Sequence, residues 1–286
     1  MKAIINLLGA LIVGGLIGCT IDPPSGVPGP SMGSLTVTKY VAIGNSLAAG
    51  YQSNGLYQSA QGYSYPNIIA DQMKVAGASL GQFEQPWYSD PGNADPATGK
   101  AARYEIISLT GPVIGPKGLT AGAPTNTALA RPYDNLGVPG AVIFDFLDTT
   151  SITVKAGAPR NNPFFSLVMR NQAAFGKRLL DQAKALNPGI VSFWLGNNDV
   201  LGYATSGGVS STTLQPTTPT ATSTFTALYN QAIDSLKANL PNAKLVLATI
   251  PDVTTIPFFT TIGPKVGALL GGAKFYFQKN NYTVDS

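Results

Sequence analysis

Three residues far apart in the chain have the types that acyl transfer uses. Ser46 stands in "VAIGNSLAAGY" (41–51), Gly140 in "NLGVPGAVIFD" (135–145) and Asn198 in "WLGNNDVLGY" (194–203). A short apolar run feeding Gly44, Asn45 and Ser46, and then a helix, sets the serine at a helix N-terminus. Backbone N–H groups are unsatisfied there and negative charge is favoured. The serine's own N–H then serves as one donor to an oxyanion. Gly140, at a strand-to-helix transition, lets the backbone approach a ligand and present its N–H. Asn198 follows Gly196 and offers a neutral amide donor, and Asp199 behind it can pin the loop through backbone N–H groups. Each residue also has a plainer reading: Ser46 as a helix cap, Gly140 as a turn glycine, Asn198 as the centre of an Asx-turn. The first loop is not Gly-x-Ser-x-Gly, because Ala48 holds the last position, and it is neither a dinucleotide loop nor a phosphate loop. A serine nucleophile needs a base, and the chain contains no histidine.

The elements that must position these residues are four β-rich runs, "TVTKYVAI" (36–43), "RPYDNLGV" (131–138), "GIVSFWLG" (189–196) and "KLVLATI" (244–250). The last two are near-continuous apolar runs, as in strands covered on both faces. Before the third run, Asn162 and Pro163 read as N-cap and first helical residue. Phe165, Val168, Gln172, Phe175, Leu179, Ala183 and Leu186 then keep helical spacing as far as the turn "NPG". Phe225, Leu228, Ala232, Leu236 and Leu240 repeat the device before the fourth run, and "SYPNIIADQMKVAG" (64–77) supplies a helix after the first. This alternation predicts a doubly wound, three-layer α/β/α fold with a mostly parallel sheet. Ligands of such sheets bind at the carboxyl ends of the strands, which is where Ser46, Gly140 and Asn198 fall. Ser46 and Gly140 are 94 residues apart (140 minus 46), far beyond the dozen that a crossover needs. Residues 78–130 therefore read as an insertion, a lid or substrate wall, with a strand pair around "YEIISL" and "GPVIG". Residues 204–223, rich in Thr and Ser, read as a surface loop.

Together the three loops resemble the SGNH/GDSL hydrolase family of serine esterases and lipases. "GNSL" matches the first block with Asn45 in place of the usual aspartate, "NLGVPGA" the second with the family's glycine on Gly140, and "GNND" the third with the family's asparagine on Asn198. The resemblance runs from about residue 36 to about 260. It implies a flavodoxin-like fold with Ser46 as nucleophile, an oxyanion hole from Ser46, Gly140 and Asn198, and supporting roles for Gly44, Asn45, Gly196 and Asp199. It implies carboxylic-ester substrates (lipids, acyl esters or acetylated sugars) and no metal or cofactor.

The family carries its base in an Asp-x-x-His block after the last strand, and the chain has none. Asp252 and Asp285 lack a histidine three residues on, and no motif sets Lys244, Lys265 or Lys274 beside Ser46. The expectation is a hydrolase domain, incomplete at its C-terminus, whose 286 residues are nearly inactive. The alternative is a non-catalytic surface lipoprotein that binds glycan or lipid on the same scaffold, with Trp87, Tyr88 and Tyr203 as stacking surfaces.

The N-terminus points to location. Residues 1–18 run from Lys2 through an apolar stretch to "LIGC", which resembles a bacterial lipobox with Cys19, the single cysteine, as the lipidated residue. Residues 19–34 are Pro, Gly and Ser-rich and read as a tether, and 35–286 as the hydrolase domain. The expected place is outside the cytoplasm, held by lipid to a bacterial membrane, at the outer membrane or cell surface. Charged residues are only 11% and the net charge of +4 is scattered, so nucleic acid is not an expected partner.

Overall fold

A computed structural model describes residues 29–109, 113–149, 162–210, 218–262, 268, 277–279 and 283–285. In chain order its elements are β1 (Tyr40–Gly44), α1 (Ser46–Ala49), α2 (Gln58–Gln61), α3 (Tyr65–Val75), β2 (Tyr104–Ser108), β3 (Val113–Pro116), β4 (Asn135–Gly137), α4 (Phe164–Val168), α5 (Gln172–Phe175), α6 (Leu179–Ala185), β5 (Ile190–Trp194), α7 (Asn198–Thr205), α8 (Thr222–Asn239), β6 (Lys244–Leu247), β7 (Phe277–Lys279) and β8 (Thr283–Asp285). A 3-10 turn at Ile143–Phe146 follows β4. Cys19, Lys265 and Lys274 lie outside the described residues, as does most of the tether.

The four β-rich runs become a four-stranded parallel sheet in the order β4-β1-β5-β6. Alternate residues of β1 serve opposite faces, as strand geometry requires. Val41 and Ile43 pack with Leu136, Val191 and Phe193 against Phe146, Phe165, Leu179, Leu180 and Leu236. Tyr40 and Ala42 pack on the other side with Ala70 of α3 and with Phe83, whose ring stacks on Tyr40 at 5.4 Å. This is the expected three-layer arrangement. Within the insertion, β2 and β3 are the expected pair of strands, and they pair antiparallel. The insertion also reaches inward: Phe83 and Gln85 are buried, so part of it is core rather than lid. Among the described residues, no helix is long and apolar enough to cross a membrane.

Two local expectations are corrected. The pattern over 162–186 predicts one helix, and the structure has three short ones. Gly176 takes φ +85° and ends α5, and a Cβ there would fall 2.3 Å from that of Asp181. Asn171 caps α5 by accepting from Ala174 N, and Met169 is extended. Local caps thus outweigh a continuous apolar stripe. The second correction concerns β6, which reads as covered on both faces. Among the described residues it is the edge strand of the sheet, and Val246 and Leu247 are 56% and 44% exposed.

Candidate active site

Register brings the three loops together. Gly44, the last residue of β1, pairs with Gly137 on one side and Trp194 on the other. The chain therefore leaves three adjacent parallel strands at one level, and Ser46, Gly140 and Asn198 follow within a few residues of that level.

Asn45 is the N-cap of α1, and its Oδ1 accepts from Leu47 N at 3.0 Å. This leaves Ser46 as first helical residue rather than cap. The N–H of Ser46 has no acceptor one turn back, and among the described residues neither it nor Oγ bonds to the protein. Gly140 has φ +79° and is exposed, and its N–H is likewise uncommitted. The turn is closed by the next residue, Ala141 N donating to Val138 O. Asn198 opens α7, and its Nδ2 donates to Ala141 O at 2.8 Å. One amide hydrogen thus ties the third loop to the second, and the other is left over.

The supports are buried. Asp199 is 2% exposed, and its carboxylate accepts from Ile143 N at 2.9 Å and from Thr220 Oγ1 at 2.7 Å. The second and third loops are thereby joined twice. Gly44 is required by space, because a Cβ would lie 2.7 Å from that of Ala48. Gly196 has φ +123° and lies under Ile250 and Phe225, where a Cβ would come within 2.5 and 2.9 Å of them.

Three supports were not among the sequence candidates. Asn135 of β4 is 1% exposed; its Nδ2 donates to Ala48 O at 2.7 Å and to Gln85 Oε1 at 2.9 Å, and its Oδ1 accepts from Gly137 N at 3.0 Å. It braces α1, which carries Ser46, against the strand that leads to Gly140. Gln85 is held in turn by Ser64 Oγ and donates to Gln61 O. Asn162 accepts from Phe164 N, the expected capping role, and also donates from Nδ2 to Pro139 O at 2.7 Å. A polar residue at an inward strand position in "DNLGV" was the one available signal for Asn135.

A cavity of about 250 Å³ opens beside Ser46. Its wall is Asn45, Ser46, Leu47, Asn197, Asn198, Val200, Leu201, Ile250, Pro251, Val253 and Ile256, none of which titrates near neutral pH. Asn197 Oδ1 is buried there without a partner. Among the described residues, no base stands beside the serine. Lys244 is at the wrong end of β6: it pairs with Ile190, which pairs with Tyr40, four residues and about 13 Å of strand below Gly44. The Asp252 carboxylate accepts from Thr254 N and Thr254 Oγ1, bonds that hold it below the usual carboxylate range. Asp285 belongs to β8, which pairs with β7. Trp87 N donates to Asn126 Oδ1, and Tyr203 lies on α7 away from Tyr88 in sequence and in element. Among the described residues, no three His, Cys, Asp or Glu side chains come together as a metal site.

Two backbone N–H groups and one amide hydrogen are thus uncommitted among the described residues after three adjacent strands, and an apolar cavity lies against Ser46 and Asn198. The family model described as GDSL-like Lipase/Acylhydrolase matches residues 40–284. Neither the curated proteins nor the solved structures contain a match to the chain.

Proposed function

The chain belongs to the GDSL-like lipase/acylhydrolase family, and from that membership we propose that Ser46 is its nucleophile toward a carboxylic ester. Ser46 Oγ forms a bond to the carbonyl carbon. The carbonyl oxygen becomes an oxyanion that accepts from Ser46 N, Gly140 N and Asn198 Nδ2. The bond to the alkoxy oxygen then breaks, and the alcohol leaves with the proton that Oγ gave up. Water attacks the acyl-enzyme by the reverse sequence and releases the acid. The observation that supports this reading is that Ser46, Gly140 and Asn198 follow three adjacent strands that end at one level, with Ser46 and Asn198 lining one cavity. The apolar cavity of about 250 Å³ takes the acyl chain.

The proton needs an acceptor, and the 286 residues include no histidine. We therefore propose that these residues bind esters and turn them over only at the residual rate that binding and an oxyanion hole sustain, about 10³–10⁴ over water. A base brought from outside should restore turnover. The test is hydrolysis of p-nitrophenyl butyrate with and without added imidazole, corrected for free imidazole. Imidazole should raise the rate saturably in the parent and not in Ser46→Ala. Equal rates in the two proteins overturn the assignment of Ser46. Brisk turnover by the parent without imidazole overturns the missing-base argument alone.

Location outside the cytoplasm by a lipid on Cys19 is a proposal supported by "LIGC" and by the tether-like composition after it. Cys19→Ala should release the protein from the membrane fraction of cells expressing it. Unchanged retention would count against lipidation.

A further inference from the structure

A second cavity, of about 650 Å³, is walled in part by Tyr51, five residues after Ser46, and by Pro163 and Phe164, next to Asn162. Its position follows from the strand order. The apolar cavity is walled by residues after β5 and β6, whereas the second is walled by the segment after α1, by the insertion and by α4. Two tethers connect it to the candidate site. Tyr51 N donates to Ser46 O at 3.0 Å. Phe164 N donates to Asn162, which donates to Pro139 O beside Gly140.

The lining chemistry of the two cavities differs. Apart from the polar residues at Ser46 and Asn198, the first is aliphatic. The second presents three aromatic rings, Tyr51, Tyr88 and Phe164, with Tyr51 and Phe164 edge to face at 5.9 Å. Between them stand polar groups that make no bond to the protein among the described residues: Tyr88 Oη, Thr127 Oγ1 and Ser166 Oγ. Arg170 is held in place by Nη2 bonds to Thr127 O and Leu129 O, with its guanidinium over the Tyr133 ring. Preset donors and acceptors set among aromatic faces suit a ring that bears several hydroxyls, which stacks through its C–H face and hydrogen-bonds at its edge.

An ester divides at the carbonyl that Ser46 attacks, so its two halves leave the site in different directions. Resting on the reading of Ser46 given above, we infer that the aliphatic cavity holds the acyl half and the larger cavity holds the alcohol half, a sugar. The substrate class is a sugar carrying a short acyl group.

Binding by the 286-residue chain separates the two parts of this inference, because it needs no base. The probes are methyl 6-O-butyryl-glucopyranoside and methyl butyrate, titrated by ligand-observed NMR. The sugar ester should bind at least about tenfold more tightly, the gain expected from one ring stack and one or two hydrogen bonds. Ser166→Trp, at an exposed position on α4, fills the second cavity and should remove that advantage while leaving methyl butyrate unchanged. Leu201→Trp, in the aliphatic wall, should weaken both probes. Circular dichroism of each variant establishes that it is folded. Equal binding of the two probes, or a sugar-ester advantage that survives Ser166→Trp, overturns the alcohol site and leaves the acyl site standing. Failure of Leu201→Trp to weaken methyl butyrate, or no binding of either probe, overturns both.

Discussion

Asn135 offers the most direct test of how the nucleophile loop is held. Its side chain makes three buried hydrogen bonds, to Ala48 O, Gln85 Oε1 and Gly137 N. Asn135→Ala strands Ala48 O and Gly137 N–H away from water, whereas Gln85 Oε1 still receives Ser64 Oγ at 3.2 Å. Two orphaned backbone groups at about 1–3 kcal/mol each, plus the lost side-chain volume, give an expected loss of about 3–5 kcal/mol. Urea unfolding followed by circular dichroism reads this as a midpoint lowered by roughly 1–1.7 M, for a slope of about 3 kcal/mol per M. Asn135→Asp is the sharper variant. It keeps the shape and turns a donor into a charged acceptor facing two acceptors, Ala48 O and Gln85 Oε1. It should therefore cost at least as much as truncation, although the size change is nearly nil. Buried and facing those two acceptors, the introduced carboxyl has a raised pKa in the folded state even though Gly137 N–H still donates to it. Its penalty is then absent at low pH and grows as pH rises through that folded value, so the variant should approach the parent in stability on acidification. A midpoint for Asn135→Asp equal to the parent at pH 7, or an Asn135→Ala shift under about 0.3 M, would refute the brace.

Other expectations concern the same neighbourhood. Gly137→Ala puts a Cβ 2.5 Å from Ala49 N and should cost about 1–3 kcal/mol in urea unfolding, whereas Gly202→Ala, in α7 with nothing within 4 Å, should stabilise by about 0.5–1 kcal/mol. Asp199→Ala removes the acceptor of Ile143 N and Thr220 Oγ1 and should lower stability by about 2–4 kcal/mol on the same assay. Burial pushes the Tyr65 hydroxyl up to about 12, and burial pushes that of Tyr40 up as well. Both folded values lie above the unfolded value of about 10, so the stability they carry is intact below pH ~10 and lost as pH rises toward 12. Absorbance at 295 nm should show these tyrosines ionising only together with loss of the circular dichroism signal; their free titration near 10 would refute the burial argument.

Much of the fold was legible because its signal is local. The β-rich runs at 36–43, 131–138, 189–196 and 244–250 stand where β1, β4, β5 and β6 form, and β5, covered on both faces, is the near-continuous apolar one that burial requires. The helix over 162–186 was misread because periodicity records which residues face the core and not whether the backbone between them is continuous. Gly176 at φ +85° and the Asn171 cap break it without disturbing Phe165, Val168, Leu179 or Leu180 in the core. The edge exposure of β6 depends on strand order, which no single run encodes.

The site divides the same way. The types of Ser46, Gly140, Asn198 and Asp199, and their places after strands, were in the sequence, as was the want of a histidine. Backbone chemistry makes such loops recognisable residue by residue. That Gly44 pairs with both Gly137 and Trp194, that Asn135 reaches Ala48 O, and that Asn162 reaches Pro139 O were decided by tertiary structure alone. So were the walls of the two cavities. A hydrogen bond or a cavity wall joins residues scores of positions apart, and only packing the sheet and its helices sets which of them meet.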